Sequence, residues 1–485
     1  MNLEESNPKR PTLQKDLKRV GFFTLAFGAM IGVGWVTALG SWLQQAGPFG
    51  AALAFLVGGG VMVCIALCYA ELTAMMPVAG GEVAYAYRAF GVFKSFLVGW
   101  CLAFGYIAIS GFEAISIGLV LSFLWPAIDR WPLYTFVGST VYLSHLLLAL
   151  ICTAVITYIH LRGVKQAARL QNFLTFSFLL ICTLFIGAAF IVGKPSNWQP
   201  VFASTEQGVL AGFLAVLITI PFWFVGFDTI PQAAEESANE VPARTLAKLI
   251  IASVIAATVF YVLLILGLSY AGPWQQTAAA DLPAAKAILF ALQSPRMMNL
   301  VLLAALIGLF TSWNGFFLAG SRVLFALGRG RIIPARFGET DQQRGTPAAA
   351  IWVVAVLTVL APLMGRQTLI SLVNVGSLFI SMAFFGVSMS VLKLRRSAPN
   401  ATRPFRVPGG SVIPLIAALG SAAMIIAMLL PGSPVALSWP REILIVGCML
   451  AVGALLWRLG AKSRVSASDS ERDYLILGIA GQEKR

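Results

Sequence analysis

Apolar stretches of about twenty residues recur along the whole chain, and no other feature limits its fold so sharply. A helix rises about 1.5 Å per residue, so about 20 mostly apolar residues cross the ~30 Å hydrocarbon core of a bilayer. Twelve such stretches occur, near 21–43, 49–75, 95–124, 138–160, 173–193, 210–236, 248–271, 298–328, 348–365, 369–392, 411–430 and 442–460. Composition agrees. Of 485 residues, 58% are hydrophobic and 11% charged, against about 25% charged in soluble domains. The expected fold is an all-α integral membrane protein with twelve transmembrane helices. Cys64, Cys68, Cys101, Cys152, Cys182 and Cys448 all fall within apolar stretches, so they form neither a disulfide framework nor a metal-binding pattern.

The net charge of +14 has to be placed before it is interpreted. If the N-terminus is inside, 28 of the 34 Lys and Arg lie in cytoplasmic segments; only Arg130, Lys194, Lys286, Arg296, Arg366 and Arg441 lie outside. That asymmetry predicts a multi-pass protein of the cytoplasmic (inner) cell membrane with both termini in the cytoplasm. The positive charge is then topology, with the bilayer as partner and no nucleic acid implied. The polar N-terminus does not read as a cleavable signal. The tails, 1–19 and 461–485, are expected to be too short for a sensor or catalytic domain.

Two spans cannot be regular helices. The first contains Gly28-Ala29-Met30-Ile31-Gly32-Val33-Gly34, and each glycine weakens a helix by roughly 1 kcal/mol relative to alanine. The sixth contains Pro221-Phe222-Trp223-Phe224-Val225-Gly226-Phe227-Asp228-Thr229-Ile230-Pro231, where two prolines and a glycine interrupt the ladder. Asp228 is expected to cap a second half-helix there. Lipid offers freed backbone groups no partner, so broken helix survives only against protein or a cavity. Interrupted spans at corresponding places in two halves point to a transporter. Half-helix amides suit a carboxylate and exposed carbonyls an ammonium group, so an amino acid or amine fits such a site.

At this point the chain resembles permeases of the amino acid–polyamine–organocation superfamily from about residue 15 to 460. The resemblance rests on motifs in order: Gly28 to Gly34; Ala70-Glu71-Leu72 with Pro77, Gly80-Gly81-Glu82 and Tyr85; Gly163-Val164-Lys165 with Arg169-Leu170-Gln171-Asn172; Gly226-Phe227-Asp228 with Glu235-Glu236; Asn314-Gly315 with Ser321-Arg322-Val323; and Arg403-Pro404-Phe405-Arg406-Val407-Pro408. It implies a five-plus-five inverted repeat of the leucine-transporter type, with halves at 20–203 and 204–394 and two peripheral helices at 395–460. It also implies alternating access around a midplane site. Amides near Gly32, Val33 and Gly34 would receive a substrate carboxylate, carbonyls near Met30, Phe222 and Val225 its amine, and Phe222 would form an aromatic lid. Asp228 completes the expected substrate site.

The chain departs from the resemblance in two places. Many relatives carry a lysine early in helix five; none stands here, and Phe178 falls at or near its place. Thr311 and Ser312 are then candidates to hold sodium beside the first break, though membrane hydroxyls usually bond their own backbone. The second departure is Glu113, close to the middle of its span, where a carboxylate costs about 2.5–3.5 kcal/mol and usually faces a cavity or partner. Glu113 either pairs with a positive group on the substrate or carries a coupling proton.

Glu71, Glu82, Glu235, Glu236 and Glu240 cluster at cytoplasmic span ends near Arg88, Arg244 and Arg322, as an ion-paired gate or a solvated rim. His145 and His160 read as structural. No Walker sequence, nucleophile elbow or paired catalytic carboxylates appear, so neither an enzyme nor a cofactor is expected. The sequence reads as a secondary active permease for an amino acid or small organic amine, proton-coupled first, with sodium coupling or exchange as the alternative. A passive channel would need a continuous polar pore.

Overall fold

The computed structural model describes residues 10–204, 208–433 and 435–478. Parts of both expected tails, 1–9 and 479–485, with Lys9, Lys484 and Arg485, lie outside the described residues.

The chain is nearly all helical. Helix α1 (Arg19–Met30) stops at the glycine-rich break and resumes as α2 (Gly34–Thr37). The continuation, α3 (Leu39–Met75), bends at Gly47, whose φ of 73° precedes Pro48. The short α4 (Gly81–Phe90) leads into α5 (Val92–Leu124). Next comes an antiparallel hairpin of β1 (Pro132–Phe136) and β2 (Ser139–Tyr142). Its two-residue turn has positive φ at Val137 (47°) and Gly138 (79°), the signature of a tight hairpin turn. The fourth span, expected from 138, therefore begins only at Leu143, as α6 (Leu143–Leu161). Helix α7 (Val164–Val192) closes the first half.

The sixth span is divided into α8 (Val209–Leu217), α9 (Ile220–Phe224) and α10 (Thr229–Gln232). Helix α11 (Ala243–Ala271) is followed by the short α12 (Trp274–Ala278) and α13 (Pro283–Leu292), then by the long α14 (Pro295–Arg329). Helix α15 (Ala348–Leu360) continues as a 3-10 turn to Met364. Pro362 lacks the N–H that α-helix would need, and Gly365, with φ 69°, ends the run. The last elements are α16 (Thr368–Ser397), α17 (Val412–Leu429), α18 (Arg441–Leu459), α19 (Ala461–Ser466) and α20 (Asp469–Leu477).

Among the described residues, eleven helices are long and apolar enough to cross a membrane; the expected ninth span, Ala348–Met364, is shorter. Burial separates centre from periphery. The span Arg19–Thr37 is 83% buried and Arg441–Leu459 only 11%, so the first break lies at the heart of the bundle and α18 at its rim. Large apolar side chains such as Leu180, Leu184 and Ile191 on α7 and Leu444 and Leu455 on α18 are exposed, as a lipid-facing surface requires.

Candidate functional site

The two breaks touch. Gly226 has φ 133°, in the region that favours glycine, and a β-carbon there would stand 2.7 Å from the Met30 nitrogen and 3.0 Å from the Ala29 carbonyl carbon. Only a residue without a side chain lets the sixth span come so close to the first. The freed backbone of the sixth span is satisfied locally: the Gly226 N–H donates to Asp228 Oδ1 at 2.7 Å and the Thr229 hydroxyl donates to the Gly226 carbonyl at 2.6 Å. Asp228 thus occupies the cap position of α10 but turns its carboxylate back toward Gly226. The Thr229 and Ile230 amides are already taken by the Gly226 and Phe227 carbonyls, and Pro231 has none, so no donor remains for a forward cap.

Beside this contact lies a small cavity lined by Met30, Gly32 and Gly34, by Ile109, Phe112 and Glu113 of α5, by Phe222 and Trp223 of α9, by Tyr261 of α11, and by Ser312 and Phe316 of α14. It holds about 10 Å³, room for one water molecule at most. A larger guest must move the aromatic walls. Glu113 is 2% exposed. Its carboxylate faces the Val33 amide and the Ser312 hydroxyl, and Oε2 is buried without a hydrogen-bond partner. Glu113 is the one ionisable carboxylate in the lining, and no Lys, Arg or His accompanies it.

Five of the expected site residues, Met30, Gly32, Gly34, Glu113 and Phe222, come together in this lining; the side chains of Val33, Val225 and Asp228 are not part of it, though the Val33 amide faces Glu113. The Met30 carbonyl accepts the Tyr261 hydroxyl at 2.8 Å. Of the two sodium candidates, Thr311 donates to the Gly308 carbonyl of its own helix at 2.7 Å. Phe178, buried against Trp35 and Phe260 with ring centroids 6.0 and 5.9 Å away, packs beside Gly308. His160 is buried and bonds Asn314 Oδ1 at 3.0 Å, and Asn314 in turn donates to Gln171 Oε1 at 2.7 Å, a structural network between α6, α7 and α14.

The sequence reading did not single out Phe112, Trp223, Tyr261 and Phe316. Trp223 and Phe112 matter most, because they also floor a second cavity of about 430 Å³ that opens on the face away from the termini and includes Ser41, Gln45, Asp281 and Arg366. The wall between vestibule and inner cavity is this pair, their rings 6.3 Å apart and nearly perpendicular, with Trp223 pinned by its indole N–H to the Thr219 hydroxyl at 3.0 Å. Phe222 packs deeper, against Phe112 and toward Gly376. The signal available was that Trp223 sits inside the broken segment.

The face that carries the termini is sealed by buried ion pairs. Arg322 grips Glu236 in a bidentate pair at 2.6 and 3.1 Å, both side chains 1% exposed. Arg329 holds Glu235 through two bonds of 2.8 Å, and Arg10 adds a third contact at 3.1 Å. Burial alone would raise the Glu235 carboxyl, but the Arg329 and Arg10 guanidiniums and the Ala79 amide overcome it and lower it to about 2. Glu71 takes Arg395 and Arg403. Of the acids expected there, only Glu240 pairs at an exposed site, with Lys18 at 3.3 Å. Arg322 alone of the arginines anticipated beside these acids takes part in the buried set; the others come from the N-terminal segment, α14, the end of α16 and the α16–α17 connection. Leu17 adds a strand-like clasp, donating to the Glu236 carbonyl and accepting from the Ala238 amide, both at 2.9 Å.

Comparison with known proteins locates this architecture. The profile of the amino acid permease family matches residues 17–454. The branched-chain amino acid permease of Bacillus subtilis (strain 168) is 30% identical over 415 residues, covering 84% of this chain and 87% of that protein. The methylthioribose transporter of the same organism is 27% identical over 418 residues, 84% of this chain and 87% of its own length. Its aspartate-proton symporter is 26% identical over 428 residues, 84% and 78%.

Proposed function

The chain belongs to the amino acid permease family, and on that premise we propose that it is a secondary active transporter moving an amino acid or a small organic amine by alternating access. It works in the cytoplasmic membrane with both termini in the cytoplasm. Residues 20–203 and 204–394 are the two inverted halves, each opening with its broken span, and 395–460 forms the periphery. Substrate sits between the breaks, against Glu113. The Phe112–Trp223 wall controls entry from outside, and the ion pairs of Glu235, Glu236 and Glu71 control release inside.

The observation that carries this reading is the meeting of the two breaks at Met30 and Gly226 beside a buried carboxylate with an unpartnered oxygen. A carboxylate held away from water without a cationic neighbour needs a charge from outside the protein. Substrate or a coupling proton supplies it. Proton coupling is preferred over sodium because the buried Glu113 carboxylate has an unpartnered oxygen that can take up and release a proton, and a relative is named a proton symporter.

Thermal unfolding of the purified protein across amino acids, polyamines and simple amines, with and without sodium, tests the site. A ligand at a hundredfold its Kd adds ~2.7 kcal/mol. Stabilisation by at least one such compound, unchanged by sodium, is expected. Stabilisation only when sodium is present contradicts proton coupling, and silence across the whole panel contradicts the substrate class.

A further inference from the structure

Resting on that reading of the cavity as the transport site, we infer that its substrate is a small organic ammonium ion without a carboxylate of its own, held by Glu113 inside an aromatic cage.

Three observations converge. The cavity lining holds Glu113 as its single carboxylic acid and no basic residue, so its side chains offer a partner to a cation and no charge to answer an anion. Around that carboxylate stand Phe112, Phe222, Trp223, Tyr261 and Phe316. The faces of such rings attract cations, most strongly when desolvated, and aromatic cages of this kind recognise ammonium groups. Rings of Phe112, Phe222 and Trp223 pack on one another at 5.1 to 6.3 Å, a continuous surface that closes the outer side.

The third observation concerns where a substrate carboxylate would go. Of the first-break amides that would receive a substrate carboxylate, that of Val33 lies at the cavity edge beside Gly32. It is already faced by the protein's own carboxylate: Glu113 Oε1 lies against Gly32, and the side chain addresses the Val33 amide and the Ser312 hydroxyl. A second carboxylate brought to the same amide would lie within a few ångströms of the first, in a site walled from water, where like charges repel strongly. The remaining oxygen, Oε2, is buried, unpartnered and free to take an ammonium hydrogen. The Tyr261 hydroxyl spends its hydrogen on the Met30 carbonyl, so it does not compete as a donor to Glu113. Protein and substrate thus divide the zwitterion between them: the protein contributes the carboxylate, the substrate the ammonium.

The test compares amino acids with the amines that lack only the carboxylate: leucine with 3-methylbutylamine, ornithine with putrescine, phenylalanine with 2-phenylethylamine. Affinity is measured calorimetrically on the full-length protein, and uptake of each binder is followed in proteoliposomes. The amine is expected to bind more tightly than its acid by about tenfold or more, as loss of a like-charge clash predicts. Glu113→Gln lowers amine affinity by at least a similar factor. Glu113→Ala goes further: it vacates the amide beside Gly32, so the order within a pair reverses and the amino acid binds better than to wild type. A gain of binding cannot come from misfolding. Tighter binding of the amino acid to wild type, or unchanged amine affinity in Glu113→Gln, overturns the inference while leaving the transport reading intact. Failure of wild type to bind or carry any member of any pair sinks both.

Discussion

Glu113 and Gly32 face each other across the break in the first span, and Oε1 of the carboxylate lies where a β-carbon on residue 32 would have to stand. The Cβ and Oγ of Ser312 crowd the same point at 2.8 Å. The pair fixes how the glycine-rich break serves the site: the missing side chain makes room for an acid from another helix.

Gly32→Ala is accordingly expected to cost uptake heavily while the protein still folds. Overpacking of a tight interior costs about 1–3 kcal/mol, and the displaced groups are those proposed to meet substrate. Proteoliposome uptake should fall by about tenfold or more, equivalent to ~1.4 kcal/mol, with an unchanged size-exclusion profile. Uptake within twofold of wild type, on the order of 0.4 kcal/mol, would show that Glu113 need not lie there.

Trp223→Ala should breach the wall between vestibule and cavity. The indole fills the space beside Gly34 and packs on Trp42 at 5.2 Å, and truncating a buried Trp costs about 3–5 kcal/mol. In a Ser312→Cys background, a membrane-impermeant thiol reagent added outside should label residue 312 at least about tenfold faster once Trp223 is gone. Equal labelling rates would remove Trp223 from the outer gate.

Arg322→Ala strips the partner from a fully buried Glu236. Leaving such a charge uncompensated costs about 3–5 kcal/mol in the state where it is buried. On the proposed orientation that state is the one closed on the cytoplasmic side, so the variant should favour inward opening. Cysteines placed near the inner gate should become more reactive to a reagent trapped inside vesicles; unaltered reactivity would make the pair a fold staple rather than a gate.

Glu82 supplies a pH-dependent prediction. It lies in α4, outside the spanning helices, fully buried, with Gln232 donating to its Oε2 and Oε1 unpartnered. Burial first, and then the Asp228 carboxylate, push its carboxyl well above the ordinary value. The unfolded chain releases this proton near pH ~4.3 while the folded chain keeps it. The stability it contributes is therefore full below that pH and is lost as pH rises toward the folded value. Glu82→Gln, which can still accept from Gln232, removes that loss. Its Tm gain should be larger at pH 8 than at pH 5, and an equal gain at both would contradict the assignment.

Helix positions were legible because apolar length is a property of composition, and the breaks because glycine and proline act on the backbone where they stand. What the sequence hid was contact between distant residues. The floor formed by Phe112 and Trp223 joins positions far apart in the chain, and nothing in periodicity distinguishes Tyr261, aimed at the Met30 carbonyl, from any buried tyrosine. Asp228 looked like a cap because the residues after it are cap-like, but their amides were already engaged by the preceding turn. The ninth span read as a full crossing from hydropathy alone, while Pro362 and Gly365 convert its end to a tighter turn. Among the acids, the arginine partners of Glu71 and Glu235 came from segments whose approach only the fold reveals.

The central claim is that a gradient drives substrate through the site at the paired breaks. The most direct measurement is uptake of radiolabelled putrescine, 3-methylbutylamine, ornithine and leucine into proteoliposomes under an imposed pH gradient, a sodium gradient or neither. The account predicts saturable accumulation above the external concentration under the pH gradient alone, abolished by a protonophore and lost in Glu113→Gln. Uptake that merely reaches the external concentration under every condition, with no saturation, would contradict it and mark the protein as a passive channel.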